Sequence, residues 1–300
     1  MFDLYKMYEN RIDAILDTDT FNEIDDQFAI AYMLKYNDKI SVKAITIAPF
    51  FNFKVKDVAE SIEKSYKEAL KVLSLCDRED LNNIVIKGST SFLKDEHTYI
   101  DSEACDFIIK ESQNYNKDNR LYIIAIGAIT NVASAILKDP TIVDRISVIW
   151  LACNDYDYPD NKEFNMCQDI ASARVVMSKC DSLALLPCMG VVSHFRTNET
   201  ELVDNLKGKG KLADYLCTNV INYMNEVHKT KVWTKAIWDV SAIGFVLNNN
   251  NQFMSVEERK VKLPTYPDGR YCETLDNNLT YVTKINRDEL MFDLFKKIKE

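Results

Sequence analysis

Four carboxylates stand within ten residues near the start of the chain. Asp17 and Asp19 close an apolar run at Ile12–Leu16, and Asp25 and Asp26 follow. Carboxylates this close repel one another, and gathering them requires protons or a cation. A ligand set made only of oxygen favours a hard cation, Ca²⁺ or Mg²⁺. A helix N-terminus alone would explain Asp25 and Asp26 through the macrodipole. It does not explain Asp17 and Asp19 at the end of a buried strand. A fifth carboxylate, Asp239, sits in an apolar helical stretch with Ala236, Ile237, Val240, Ala242 and Ile243. Left unpartnered there it is costly, which favours a ligand role.

The elements that must position these groups follow from hydrophobic period. Strand-like runs at Ile12–Leu16, Val42–Ile47, Asn83–Ile86, Leu121–Ile126, Ile146–Ala152 and Leu183–Pro187 alternate with helical patterns. Those helices are expected over residues 23–36, 54–75, 102–112, 130–137 and 170–178. Strands apolar on both faces in a βαβ order predict a mostly parallel sheet with helices on both faces. Ligands in such sheets bind outside the carboxyl ends of the strands. Beyond residue 195 the chain reads as helical at 199–206, 211–227 and 234–247. A β segment at Val261–Tyr271 with a Pro267-Asp268-Gly269 turn, a strand at Leu279–Ile285 and a helix at Arg287–Lys299 follow. The expectation is one α/β domain over residues 1–300 with a helical C-terminal third.

Composition narrows the chemistry. Seven glycines in 300 residues, against roughly twenty at average usage, disfavour Gly-rich dinucleotide and phosphate loops. A net charge of −9 disfavours nucleic acid and anionic membrane as partners. No apolar stretch approaches a membrane span, and the N-terminus has no apolar leader core, so a cytoplasmic protein is expected. Three histidines and eight scattered cysteines without a CxxC pair argue against a multi-histidine or zinc site and for cysteines as small buried hydrophobes. The run Lys207-Gly208-Lys209-Gly210-Lys211 reads as a solvated loop.

Four motifs in order resemble the inosine-uridine-type nucleoside hydrolases. These are Asp17-Thr18-Asp19 with Asp25-Asp26, Gly127-Ala128-Ile129-Thr130-Asn131, Glu163-Phe164-Asn165 with Asp169, and Asp239 entering a helix. The resemblance spans about residues 12–245. It implies the fold of that family and a Ca²⁺-dependent hydrolysis of a ribonucleoside to ribose and free base, as in nucleoside salvage. By motif, it implies Asp19, Asp26, Asp239 and the carbonyl of Ile124 as metal ligands, with Asp19 also the general base. It implies Asp25, Asn52, Asn154, Glu163 and Asn165 as ribose contacts, and a homodimer or homotetramer. Carboxylates around the ribose suit an oxocarbenium-like transition state.

The chain departs from the family pattern in two places. Two extra residues separate Asp19 from the acidic pair, and the usual glycine is missing. The turn at Thr20–Ile24 is then expected to use a left-handed Asn22, with Glu23 able to reach the site. Trp238 stands where many members carry a proton-donating histidine; it can stack on a base but its indole is no acid. His228 is a candidate replacement acid, with a solvent-exposed helix-end role as the alternative, and Tyr223 lies beside it in sequence. One of Trp233 and Trp238 is expected in the core. Thr130 and Asn131 read as helix caps, and Asp169 as an N-cap. Two other functions stay open at this point. One is a non-catalytic nucleoside- or ribose-binding relative. The other is a haloacid-dehalogenase-type phosphatase, which the Asp17-Thr18-Asp19-Thr20 loop partly resembles, although Phe21 breaks its pattern. A third open reading is hydrolysis of a different ribosyl substrate, such as a modified or nicotinamide nucleoside, whose good leaving group needs no acid.

Overall fold

The computed structural model describes residues 2–228 and 232–300. Its strands are β1 Ile12–Thr18, β2 Ile40–Ile47, β3 Val85–Ile86, β4 Leu121–Ala125, β5 Ile146–Leu151, β6 Leu183–Leu186, β7 Arg196–Thr197, β8 Lys235–Ala236, β9 Met254–Pro264 and β10 Tyr271–Ile285. Its α-helices are α1 Leu4–Glu9, α2 Asp26–Lys35, α3 Val58–Leu75, α4 Glu103–Ser112, α5 Thr130–Lys138, α6 Phe164–Gln168, α7 Ile170–Lys179, α8 Glu199–Leu206, α9 Lys211–Val227, α10 Val240–Val246 and α11 Arg287–Lys299.

Eight strands form one sheet in the order β3-β2-β1-β4-β5-β6-β10-β9. All neighbours are parallel except the β9–β10 hairpin at the edge. The central strands are apolar on both faces because both are covered. In β1, Ala14 and Leu16 join one core and Ile15 the other. The first core takes side chains from α1, α2, α3 and α8 to α11, and the second from α4, α5 and α7. Helix α2 is buried from Asp26 to Leu34, so its first turn is fixed by packing rather than by its own propensity. The order of the sheet reverses between β1 and β4, and the crevice above that point is where such folds bind ligands.

Three stretches differ from expectation. The first half of residues 83–86 belongs to a 3₁₀ turn, Glu79–Ile84, and Val85–Ile86 forms the strand. The expected helix at 234–247 is split: Lys235–Ala236 pairs with β7, and the helix begins only at Val240. The C-terminal third is less helical than expected, because β9 and β10 extend to 11 and 15 residues. Their turn lies at 265–270, where Thr265 N–H donates to the Arg270 carbonyl at 2.8 Å and Gly269 takes φ +69. Five cysteines are buried, but Cys272 is exposed. The Lys207–Lys211 loop is open, with nothing within 4 Å of a Cβ at Gly208 or Gly210.

Candidate active site

At the carboxyl end of β1 the four carboxylates have separate tasks. Asp17 is fully buried, and its Oδ1 accepts from Thr46 Oγ1 at 2.6 Å and Asn131 Nδ2 at 2.8 Å. It ties β1 to β2 and α5. Thr18 Oγ1 donates to Asp26 Oδ1 at 2.5 Å and so fixes the first residue of α2. Asp25 precedes that helix, and its Oδ2 accepts the Trp238 N–H at 2.7 Å. Asp239 stands in the N-cap position of α10. Asp25, Asp26 and Asp239 each offer an oxygen, and these oxygens lie within 4.8 Å of one another. Asp19 lines the same cavity. Gly127 makes room for it: a Cβ there would stand 3.1 Å from Asp19 Cγ and 3.1 Å from Ala48 Cβ.

Burial and mutual repulsion hold these groups far from their ordinary acidity. Asp26 is pushed up to about 7 by burial and then by Asp25, and Asp25 to about 6 by burial, against the pull of Lys235. Asp19 and Asp239 are pushed well up by burial and by the neighbouring carboxylates. Asp19 Oδ2 and Asp25 Oδ1 are buried without a hydrogen-bond partner, an arrangement that costs stability unless a ligand completes it. The Lys235 ammonium pairs with Glu23 and lies 3.9 Å from Asp25 Oδ1. One such ammonium does not balance the group. Buried, unpartnered, oxygen-only donors fit a hard divalent cation.

The carboxylates open into a cavity of about 490 Å³. Its walls come from the segments after β1, β2, β4, β5 and β6, and from α9 and the approach to α10. Glu163 caps α6: Oε1 accepts from Asn165 N–H at 2.8 Å, and Oε2 from Met166 N–H and Cys153 N–H at 2.9 Å each. These bonds hold Cys153 at φ +63, a backbone state that non-glycine residues rarely adopt away from functional sites. Asn165 Nδ2 donates to the carbonyls of Ile126 at 3.1 Å and Leu151 at 3.0 Å, clasping the ends of β4 and β5. Asn154 Oδ1 accepts from Met189 N–H at 3.2 Å, and Asn52 Nδ2 donates to Asn22 Oδ1 at 2.8 Å. Trp238, Tyr223, Phe53 and Phe164 supply aromatic surface.

Of the residues singled out by sequence, Asp19, Asp25, Asp26, Asn52, Asn154, Glu163, Asn165, Trp238 and Asp239 all line this cavity. Ile124 does not. It lies within β4, opposite Leu16 and Ile149, where the sheet ladder occupies its backbone. The residue at the cavity is Ile126, directly before Gly127. His228 is exposed at the end of α9 and is not part of the lining. His97 and His194 are exposed as well, and no histidine lines the cavity. The carboxylates whose oxygens come within 4.8 Å of one another are Asp25, Asp26 and Asp239, with Asp25 rather than Asp19 in the group.

Asn131 is not a cap: α5 begins after Ile129 without a side-chain cap, and Asn131 bridges Asp17, the Ile47 carbonyl and Ser89 N–H. Asp169 does cap α7, and its Oδ2 also accepts from Thr130 Oγ1 at 2.7 Å. Asn22 is not among the described residues with left-handed backbone. The turn closes by Asn22 N–H to the Asp19 carbonyl at 2.7 Å, with Lys54 Nζ on the Asn22 carbonyl at 2.6 Å. Glu23 does reach the cavity. Trp233 is buried in the core and Trp238 is at the cavity. Lys54 and Lys235 were not singled out by sequence; reading the residues after β2 as closely as those after β1 would have raised Lys54.

The sequence profile of the inosine-uridine preferring nucleoside hydrolases matches residues 14–291. Among solved structures, a plant nucleoside hydrolase superposes with a TM-score of 0.73 at 17% identity, covering 96% of this chain and 99% of that one. A purine-preferring ribonucleoside hydrolase from Gardnerella vaginalis gives 0.71 at 18% identity over 96% and 98%. An inosine-uridine preferring nucleoside hydrolase from Bacillus anthracis gives 0.72 at 16% identity over 96% and 99%. At these identities the superpositions establish the fold, while the profile match across nearly the whole chain establishes the family and displaces the phosphatase reading of the first loop. The chain is a nucleoside hydrolase and belongs to the inosine-uridine preferring family.

Proposed function

We propose that this site hydrolyses the N-glycosidic bond of a ribonucleoside with the help of one Ca²⁺, giving ribose and free base. The observation that carries this reading is the set of buried carboxylates whose Asp19 Oδ2 and Asp25 Oδ1 have no partner. Asp26 and Asp239, joined by Asp19 and the Ile126 carbonyl, would hold the ion. When bound, it would neutralise the cluster, orient the attacking water and the vicinal ribose hydroxyls, and acidify that water.

Asp19 is the general base. Its raised proton affinity suits it to accept a proton near neutral pH. Asp25 is held by the Trp238 N–H on one oxygen and leaves the other for a ribose hydroxyl. Asn165 and Asn154 bound the far side of the sugar, and Glu163 holds the backbone N–H of Asn165 and of Cys153, next to Asn154. The ring of carboxylates stabilises positive charge developing at C1′ and the ring oxygen. Trp238 and Tyr223 offer faces for a planar base. A homodimer or homotetramer and a role in nucleoside salvage belong to the same reading.

The test is reducing-sugar release across a panel of ribo- and deoxyribonucleosides, with Ca²⁺ and with chelator. Release from ribonucleosides only, abolished by chelation, is expected. No release from any nucleoside under Ca²⁺ overturns the proposal.

A further inference from the structure

Breaking an N-glycosidic bond leaves the electron pair on the base, and an unprotonated purine is a poor leaving group. A proton donor on the base side of the cavity contributes about 10²–10⁴-fold in such reactions. None of the three histidines lines this cavity. The Tyr223 hydroxyl is made a weaker acid than usual by burial and by Glu23. Glu163 has its oxygens engaged by three backbone N–H groups. Lys235 is committed to Glu23 and Asp25 and is not in the lining.

Among the described residues two ammonium groups remain on the walls, Lys54 and Lys162, and Lys162 is exposed. Lys54 is different. It follows β2 on a segment pinned at both ends: its N–H donates to Asn52 Oδ1 at 2.8 Å, and its carbonyl accepts from Lys64 Nζ at 2.7 Å. Its ammonium donates to the Asn22 carbonyl at 2.6 Å and lies 5.3 Å from the Tyr223 ring centroid and 5.9 Å from that of Phe21. It therefore sits where the carboxylate floor meets the aromatic wall. Burial lowers its proton affinity, against the opposing effect of Glu23, Asp26, Asp19 and Asp25.

We propose that Lys54 is the catalytic acid for the departing base, its ammonium handing a proton to a ring nitrogen as the C1′–N bond breaks. This inference rests on the hydrolase reading above. The C1′–N electron pair goes to the base, and the proton that neutralises it comes from Lys54 Nζ. The water oxygen bonds to C1′ and its proton goes to Asp19. Solvent then carries a proton from Asp19 back to Lys54, which restores both groups.

The experiment compares kcat for the wild type, Lys54→Met and Lys54→Arg on a purine ribonucleoside and on p-nitrophenyl β-D-ribofuranoside. Nitrophenolate departs without a proton. Both variants are expected to lose about 100-fold or more on the purine substrate, and at least about tenfold less than that on the nitrophenyl riboside. Arginine keeps the charge but cannot give up a proton, so its failure separates proton transfer from charge. Equal losses on the two substrates, purine activity in Lys54→Arg close to wild type, or unaltered variants overturn the assignment. A wild type inactive on both substrates overturns instead the hydrolase reading on which it rests.

Discussion

Replacing Asp26 with Asn is expected to make the metal-free protein more stable while it removes activity. Asp26 is buried at 1% exposure, and its acidity is displaced from 3.8 to about 7. A folded value above the unfolded one means the charged form is disfavoured by folding. The penalty is absent below about pH 3.8, grows as pH rises, and is complete above about 7. Three units at 1.36 kcal/mol each give about 4 kcal/mol at pH 8, and the same relation leaves about 2 kcal/mol at pH 5. Asn keeps the shape, and its Oδ1 still accepts the Thr18 hydroxyl. It also relieves Asp19 and Asp239, both of which Asp26 repels. The assay is urea unfolding of wild type and Asp26→Asn in chelator at pH 5 and pH 8, with ribose release measured under Ca²⁺. The variant should be the more stable at both pH values, by a margin that roughly halves at pH 5. With Ca²⁺ at 100 times its Kd the wild type recovers about 2.7 kcal/mol and the variant little. A variant less stable than wild type at pH 8 in chelator, or a margin independent of pH, would refute the repulsive cluster.

Other perturbations follow from the same geometry. Gly127→Ala brings a methyl to 3.1 Å from Asp19 Cγ and Ala48 Cβ; the overpacking costs about 1–3 kcal/mol, and kcat should fall at least about tenfold, read by thermal unfolding and steady-state kinetics. Asn131→Ala strips a donor from Asp17 and an acceptor from Ser89 N–H in a dry environment, so denaturant melts should show a loss of about 1–3 kcal/mol. Asn165→Ala releases the Ile126 and Leu151 carbonyls and should raise KM for nucleoside more than it shifts Tm. His228→Ala should leave kcat on purine nucleosides unchanged, because the residue is exposed at the end of α9.

Which features the sequence disclosed follows from how each is buried. The central strands β1, β4, β5 and β6 are covered on both faces, so they appear as short, largely apolar runs, interrupted inside by Asp13 in β1 and Ser147 in β5, which their length and their alternation with helical patterns mark as strands. The long hairpin is half exposed, and charged residues such as Glu257, Glu258, Arg259 and Lys260 hide β9. The segment from Lys235 to Val246 has helical apolar spacing throughout, and only tertiary contacts, β7 pairing and the bond from Trp238 to Asp25, break it before Val240. The acidic cluster was legible because carboxylates amid apolar neighbours are costly without a purpose. Lys54 and Lys235 were not, since a single lysine looks alike in sequence whether it faces solvent or a carboxylate. Asn131 at a helix start resembles a cap, and only the fold reveals that it faces Asp17. The backbone position at the cavity shifted from Ile124 to Ile126 because strand length, and not motif, decides where β4 releases its carbonyls.

The central claim is that the carboxylate cluster of Asp19, Asp25, Asp26 and Asp239 works only around one hard cation. Its most direct test is ribose release from a ribonucleoside by chelator-stripped protein, measured as Ca²⁺ is returned in known amounts. Negligible release at the start and a rise that breaks sharply at one ion per chain are expected. Full activity in chelator, or no release at saturating Ca²⁺, would contradict it.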